Sequence, residues 1–152
     1  MTIKERIQVD FIKAMKSRDE VSKSALSSVK AKITESEKVN GNRELTDDEV
    51  IKVITKSIKQ REESALIYSE AGRPELASKE LLQLNVLMDY MPTQMNEEEI
   101  ETAVRGIIVN LSSIFTNRNA LVGKTMGEFN KNYQGRADLK LVSSIINKVV
   151  GQ

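Results

Sequence analysis

Apolar residues return every three or four positions along almost the whole chain, which is the period of an amphipathic helix. Ile3, Ile7, Phe11 and Ala14 with Met15 predict a first helix over 3–17, and Val21, Ala25, Val29 and Ile33 a second over 20–38. Asn40-Gly41-Asn42 breaks the pattern and reads as a loop. Thr46-Asp47-Asp48-Glu49 then has the form of a capping box: Thr46 accepts from the Glu49 N–H, and the Glu49 carboxylate reaches back. The two aspartates sit where the helix dipole favours anions, a better account of three adjacent acids than a metal site, because neighbouring helical positions do not converge. Val50, Ile54, Ile58, Ala65 and Tyr68 carry this helix to about residue 71, where Gly72 suits a left-handed end and Pro74 a new first turn.

The next helix, over 74–91, is the most apolar. Ala77, Leu81, Leu84, Met88 and Met91 make one stripe and Leu82 with Val86 widen it, so the expectation is a core helix surrounded by others. Pro92 disfavours helical geometry at Met91 and marks a domain boundary. Asn96 with Glu99 looks like a further capped start, followed by Ile100, Val104, Ile107 and Leu111 at helical spacing. The β-branched run Ile107-Ile108-Val109 has no partner strand elsewhere, so helix is preferred. A short helix around 123–132 and a last one around 138–150 complete the chain, the latter capped by Asp138 and burying Val142, Ile145 and Val149. The fold expected is all-α: an N-terminal helical domain of long helices over 1–91 and a small C-terminal helical bundle over 95–152. About sixty residues bury only about 60% of their chain surface, so a bundle of that size is marginal alone.

Composition narrows the chemistry. The 152 residues include neither Cys nor His, which removes disulfides and thiol or imidazole catalysis. No run of about 18 apolar residues occurs, so no membrane span is expected. Nothing at Met1-Thr2-Ile3-Lys4-Glu5-Arg6 resembles an export signal, which makes a cytoplasmic location the default. The net charge of +1 conceals a segregation. Residues 1–34 hold eight Lys/Arg against four Asp/Glu, residues 35–101 eight against sixteen, and residues 102–152 seven against two. A polyanion is attracted to the ends and repelled by the middle.

Six strings then line up in order: Leu45-Thr46-Asp47-Asp48-Glu49-Val50, Lys59-Gln60-Arg61, Tyr68-Ser69-Glu70-Ala71-Gly72-Arg73, Tyr90-Met91-Pro92-Thr93-Gln94, Gly123-Lys124-Thr125-Met126-Gly127 and Gly135-Arg136-Ala137-Asp138. Together they resemble the GatB/YqeY family over nearly the whole chain. The resemblance implies an N-terminal helical domain and a C-terminal helical bundle similar to the tail of the B subunit of the glutamine-dependent tRNA amidotransferase. In that enzyme the tail contacts tRNA while the chemistry lies in other domains and subunits. The chain departs from the family's pattern at Ala25-Leu26-Ser27, near Gln83 and at Met91, so the match is looser in its N-terminal half.

The candidate chemistry lies at the C-terminal end. Gly123-Lys124-Thr125-Met126-Gly127 is expected to open one helix and Gly135-Arg136-Ala137-Asp138 the next, each offering unpaired N–H groups to a phosphate. Glycine at 123, 127 and 135 permits close approach, Lys124 and Arg136 add charge, and Lys131 and Lys140 extend the track. Four phosphate contacts would give a salt slope of roughly −3 to −4 on logarithmic axes. Tyr133 offers a ring for stacking on an unpaired base. The competing reading makes the glycines devices for tight packing or a left-handed turn, and Tyr133 a core residue. A nucleotide-binding loop is excluded, since the motif's earlier glycine and its strand are missing.

The function expected is a non-catalytic accessory protein that binds tRNA or another structured RNA through Gly123, Lys124, Gly127, Lys131, Tyr133, Gly135, Arg136 and Lys140, linked to tRNA-dependent amidation. One alternative is a module docking on a tRNA-charging or amidotransferase complex through its acidic middle. Another is a carbon–nitrogen ligase using glutamine as amido donor, as the family likeness suggests. The residues offer neither an activated nucleophile nor a phosphate cradle for it. No catalytic residue, metal or cofactor is expected.

Overall fold

A computed structural model describes residues 1–151, and it contains seven α-helices and no strand among them. The chain divides into two compact units, Met1–Met91 and Pro92–Gln152. No helix among the described residues is long and apolar enough to cross a membrane.

The first unit holds α1 (Ile3–Ser17), α2 (Glu20–Val39), α3 (Asp47–Glu70) and α4 (Pro74–Met88). Its boundaries follow local chemistry. Thr2 and Thr46 close capping boxes with Glu5 and Glu49, and Asp19 caps α2 by accepting from the Ser22 N–H. Between α3 and α4, Gly72 takes a φ of +73° and Pro74 fills the first helical position. Ile7, Leu26, Val29, Ile33, Val50, Ile54 and Leu87 form the core, with Tyr90 at its edge. Long-range polar contacts fix the helix ends. Asp47 Oδ1 accepts the Ile3 N–H at 3.0 Å, and Glu37 takes both Lys4 Nζ at 2.8 Å and the Leu45 N–H at 3.0 Å.

The stripe expected to bury α4 is displaced. Leu81, Leu82 and Met88 are exposed at 47%, 54% and 37%, whereas Ala77, Gln83 and Leu87 are buried. The reason is that α4 packs on α2 and α3 along one side only, not within a ring of helices. Gln83 holds a buried position because its Oε1 accepts from Arg61 Nη1, which itself reaches Glu80 Oε2 at 3.1 Å. A polar residue satisfied by a guanidinium thus stands on the buried side of α4, while Leu84 and Met91 of the expected stripe still pack against the core.

The second unit is a three-helix arrangement of α5 (Glu97–Leu111), α6 (Arg118–Asn132) and α7 (Leu139–Val150), each packed on the other two. Asn96 and Glu99 form the capping box of α5, and Asp138 caps α7. Ile100, Val104, Phe129, Val142 and Ile146 are essentially sealed from solvent, and Ile145 and Val149 complete the core. Replacing a wholly buried residue of this kind, such as Ile146, with Ala costs about 2–5 kcal/mol, a large share of what so small a unit can hold.

Two expectations for this unit are corrected. α6 begins five residues before Gly123, because Asn117 caps it by accepting from the Asn119 and Ala120 N–H groups at 2.9 and 3.2 Å. The basic character of the tail is also diluted. A cut at residue 102 falls inside α5, and the compact unit regains Glu97, Glu98, Glu99 and Glu101 from that helix. Over Pro92–Gln152 it carries seven Lys/Arg against six Asp/Glu, a net of +1.

Candidate nucleic-acid interface

Because α6 starts at Arg118, Gly123-Lys124-Thr125-Met126-Gly127 lies in the middle of a helix and not at its opening. Its backbone N–H groups belong to the helical ladder, so the string presents no helix end to a phosphate. What it does present is a side face. Gly123, Lys124, Gly127 and Lys131 are all exposed, as are Asn119 and Ala120 one turn earlier. Their spacing puts them on one side of the helix, opposite the buried Leu121, Thr125 and Phe129. Lys124 and Lys131 stand two turns apart, about 10 Å along the axis. Glu128 is exposed at the margin of this face.

The two glycines are not packing devices. A Cβ added at Gly123 or Gly127 would meet nothing within 4 Å. Lys124 Nζ lies 5.6 Å from the centroid of the Phe115 ring, a cation–π contact that steadies it without consuming its charge. Thr125 is wholly buried on the other side of the helix, and its Oγ1 has no hydrogen-bond partner.

The turn from α6 to α7 is built differently. Tyr133 is the C-cap of α6, Gly135 takes a φ of +76°, and the Arg136 N–H closes the turn on the Tyr133 carbonyl at 3.0 Å. Here glycine is required by the left-handed backbone. Three hydrogen bonds join this turn to the segment before α5: Met95 N–H to the Arg136 carbonyl at 2.8 Å, Gln94 Nε2 to the Gly135 carbonyl at 2.7 Å, and Arg136 Nε to the Thr93 carbonyl at 2.9 Å. Arg136 is therefore engaged within the fold. Its guanidinium also lies 5.9 Å from the centroid of Tyr133, which packs against Phe129 with ring centroids 5.0 Å apart. Tyr133 is half-buried against the core, the geometry of the core reading of this residue.

Beside this turn lies a shallow groove of about 550 Å³ lined by Met95, Asn96, Thr102, Tyr133 and Arg136 together with Glu98 and Glu99. The two carboxylates make it a poor cradle for phosphate. The start of α7 is likewise occupied, since Asp138 Oδ1 accepts the Lys140 N–H at 3.0 Å and holds a negative charge at the positive end of the helix. Lys140 is exposed in that first turn.

Of the eight residues singled out in the sequence, four thus share the α6 face: Gly123, Lys124, Gly127 and Lys131. Tyr133, Gly135 and Arg136 form the interlocked turn, and Lys140 stands by itself on α7. Asn119 and Ala120 also belong to the α6 face. The signal that places them there is the three- and four-residue spacing from Ala120 through Gly123 and Gly127 to Lys131. No cluster of three or more acidic residues among the described ones is arranged to hold a metal ion.

The chain is 32% identical over 150 residues to "Altered inheritance of mitochondria protein 41, mitochondrial" of Pyrenophora tritici-repentis (strain Pt-1C-BFP), an alignment covering 96% of this chain and 80% of that protein. Residues 4–150 match the family described as Yqey-like protein, which takes in both helical units, and the chain belongs to that family.

Proposed function

We propose that this chain is a non-catalytic accessory module that contacts tRNA or another structured RNA through the exposed face of α6, in the setting of tRNA-dependent amidation. One observation carries the reading: Gly123 and Gly127 sit in the interior of a helix, facing solvent, with open space where a side chain would stand. Each lowers helix stability by about 1 kcal/mol relative to alanine. No contact among the described residues offsets that loss, so an external surface that needs the helix backbone at close range is the natural beneficiary. A sugar–phosphate backbone is such a surface, and Lys124 and Lys131 flank the glycines with charge for it.

Binding of tRNA in a gel-shift series at increasing salt tests this reading. The parent is expected to bind with a steep salt dependence. The double variant Lys124→Glu, Lys131→Glu is expected to lose binding, and Lys124→Gln, Lys131→Gln to lower the salt slope by about 2. A folded charge-reversed protein that binds tRNA as well as the parent overturns the proposal.

A cytoplasmic location is the reading proposed for this chain, while the relative's printed name includes the word mitochondrial. Microscopy of a C-terminal fluorescent fusion, which leaves the N-terminus free, decides between them.

A further inference from the structure

A second cationic feature lies in the other unit, and it owes nothing to overall composition. Residues 1–91 carry sixteen Lys/Arg against sixteen Asp/Glu. Yet α2 and α3 enclose between them a groove of about 480 Å³ into which Lys32, Lys52 and Lys56 all project. Glu35 is the one acid among its lining residues. Lys32 is engaged by neutral groups and not by a carboxylate hydrogen bond, its Nζ donating to Gln60 Oε1 at 2.7 Å and to Ser57 Oγ at 3.2 Å. Burial, then the charges of Arg61 and Lys56, push the Lys32 ammonium below its usual range, and Glu35 offsets this only in part. Arg61, whose charge acts on Lys32, pairs with Glu80 at 3.1 Å, and its buried Nε has no partner among the described residues.

Two valines give the groove an apolar wall. Val39 is 80% exposed at the end of α2, and Val53 is half-buried on α3. The groove therefore joins a point of crowded positive charge to an apolar wall, with the Ser36 hydroxyl and the Gln60 amide available for orientation. Lysine is a compact point charge well suited to phosphate, and clefts of about 300–1,000 Å³ suit small ligands. The geometry points to the α2/α3 groove as a binding site for a polyphosphorylated ligand of nucleotide size, its phosphates among Lys32, Lys52 and Lys56 and its uncharged part against Val39 and Val53. This site is independent of the α6 face.

The test uses the full chain, with tripolyphosphate and ADP as soluble probes and phosphatidylcholine vesicles containing phosphatidylinositol 4,5-bisphosphate as the lipid source of the same polyphosphorylated chemistry. Amide resonances are followed during titration with the soluble probes, and flotation measures vesicle binding. Saturable shifts confined to residues 32–39 and 52–60 are expected. Affinity is expected to fall roughly tenfold or more in the double variant Lys52→Gln, Lys56→Gln. It is expected to be unchanged in Lys16→Gln, an exposed lysine of α1, and in the α6 charge-reversed variant. Binding of vesicles alone supports the site and assigns the phosphate to a lipid headgroup; binding of soluble probes supports it and assigns a free metabolite. Absence of saturable shifts with no vesicle binding overturns the proposal, as does equal affinity in the lysine double variant. Loss of tRNA binding in that variant, with neither soluble probe nor vesicle bound by the parent, gives the groove to RNA and also overturns it.

Discussion

Arg136 donates from Nε to the carbonyl oxygen of Thr93 at 2.9 Å, joining the turn before α7 to the segment that enters α5. The contact makes Arg136 a structural cation first. Removing it confounds any binding experiment, because the α6–α7 turn depends on it. Arg136→Ala is expected to lower the stability of the protein by about 1 kcal/mol, the usual worth of such a hydrogen bond, as read from thermal denaturation. A variant as stable as the parent would show that the bond is matched by water.

The exposed glycines of α6 allow stability and binding to be separated. Gly123→Ala and Gly127→Ala each place a methyl group in open space on a helix. Each is expected to stabilise the protein by about 1 kcal/mol. If the face meets an RNA backbone closely, the same changes weaken tRNA binding. A gain in melting temperature with unchanged tRNA affinity would leave the glycines without a role in contact.

Part of the acid sensitivity is traceable to one cap. Arg43 forks onto both carboxylate oxygens of Glu49 at 2.8 Å, and that pairing, helped by the Thr46 N–H, lowers the Glu49 pKa to about 2. A depressed pKa in the fold means stability that is present above the unfolded value near 4.5 and is lost as pH falls toward 2. Glu49→Gln keeps a capping side chain but removes the ionisation. Urea denaturation at neutral and acid pH is expected to show a smaller pH dependence in the variant than in the parent.

At the alkaline end, Tyr90 supplies the corresponding effect with opposite sign. Its hydroxyl donates to Asp10 Oδ2 at 2.5 Å, and burial followed by that carboxylate pushes the phenol's pKa upward. The neutral phenol is the form the fold holds, so this stability is complete below the unfolded pKa of about 10 and declines as pH rises beyond it. Tyr90→Phe is expected to lower stability at neutral pH and to flatten the alkaline decline relative to the parent. Denaturation curves on both sides of that pKa measure the difference.

Much of this architecture is written in short-range signals. The ends of α1, α3 and α5 are set by capping boxes within four residues of sequence, and Gly72 and Pro74 separate α3 from α4 through their own backbone preferences. The family resemblance, carried by six short strings, likewise needs no coordinates. The start of α6 was less legible. Between Ser112 and Arg118 no apolar period announces a helix, and Asn117 is a cap whose meaning depends on the turn that follows it.

Most of the helical periods and the caps at Thr46, Asn96 and Asp138 follow from the sequence by itself, because each depends on residues a few positions apart. Which face of α4 is buried, whether Gly123 and Gly127 pack or stand open, and which charges share a surface were decided only by the tertiary structure. Burial and electrostatic grouping depend on neighbours brought from elsewhere in the chain. Arg61 must reach Gln83 before that side chain can stand on the buried side of α4, and α2 must lie along α3 before Lys32 and Lys56 can crowd one groove.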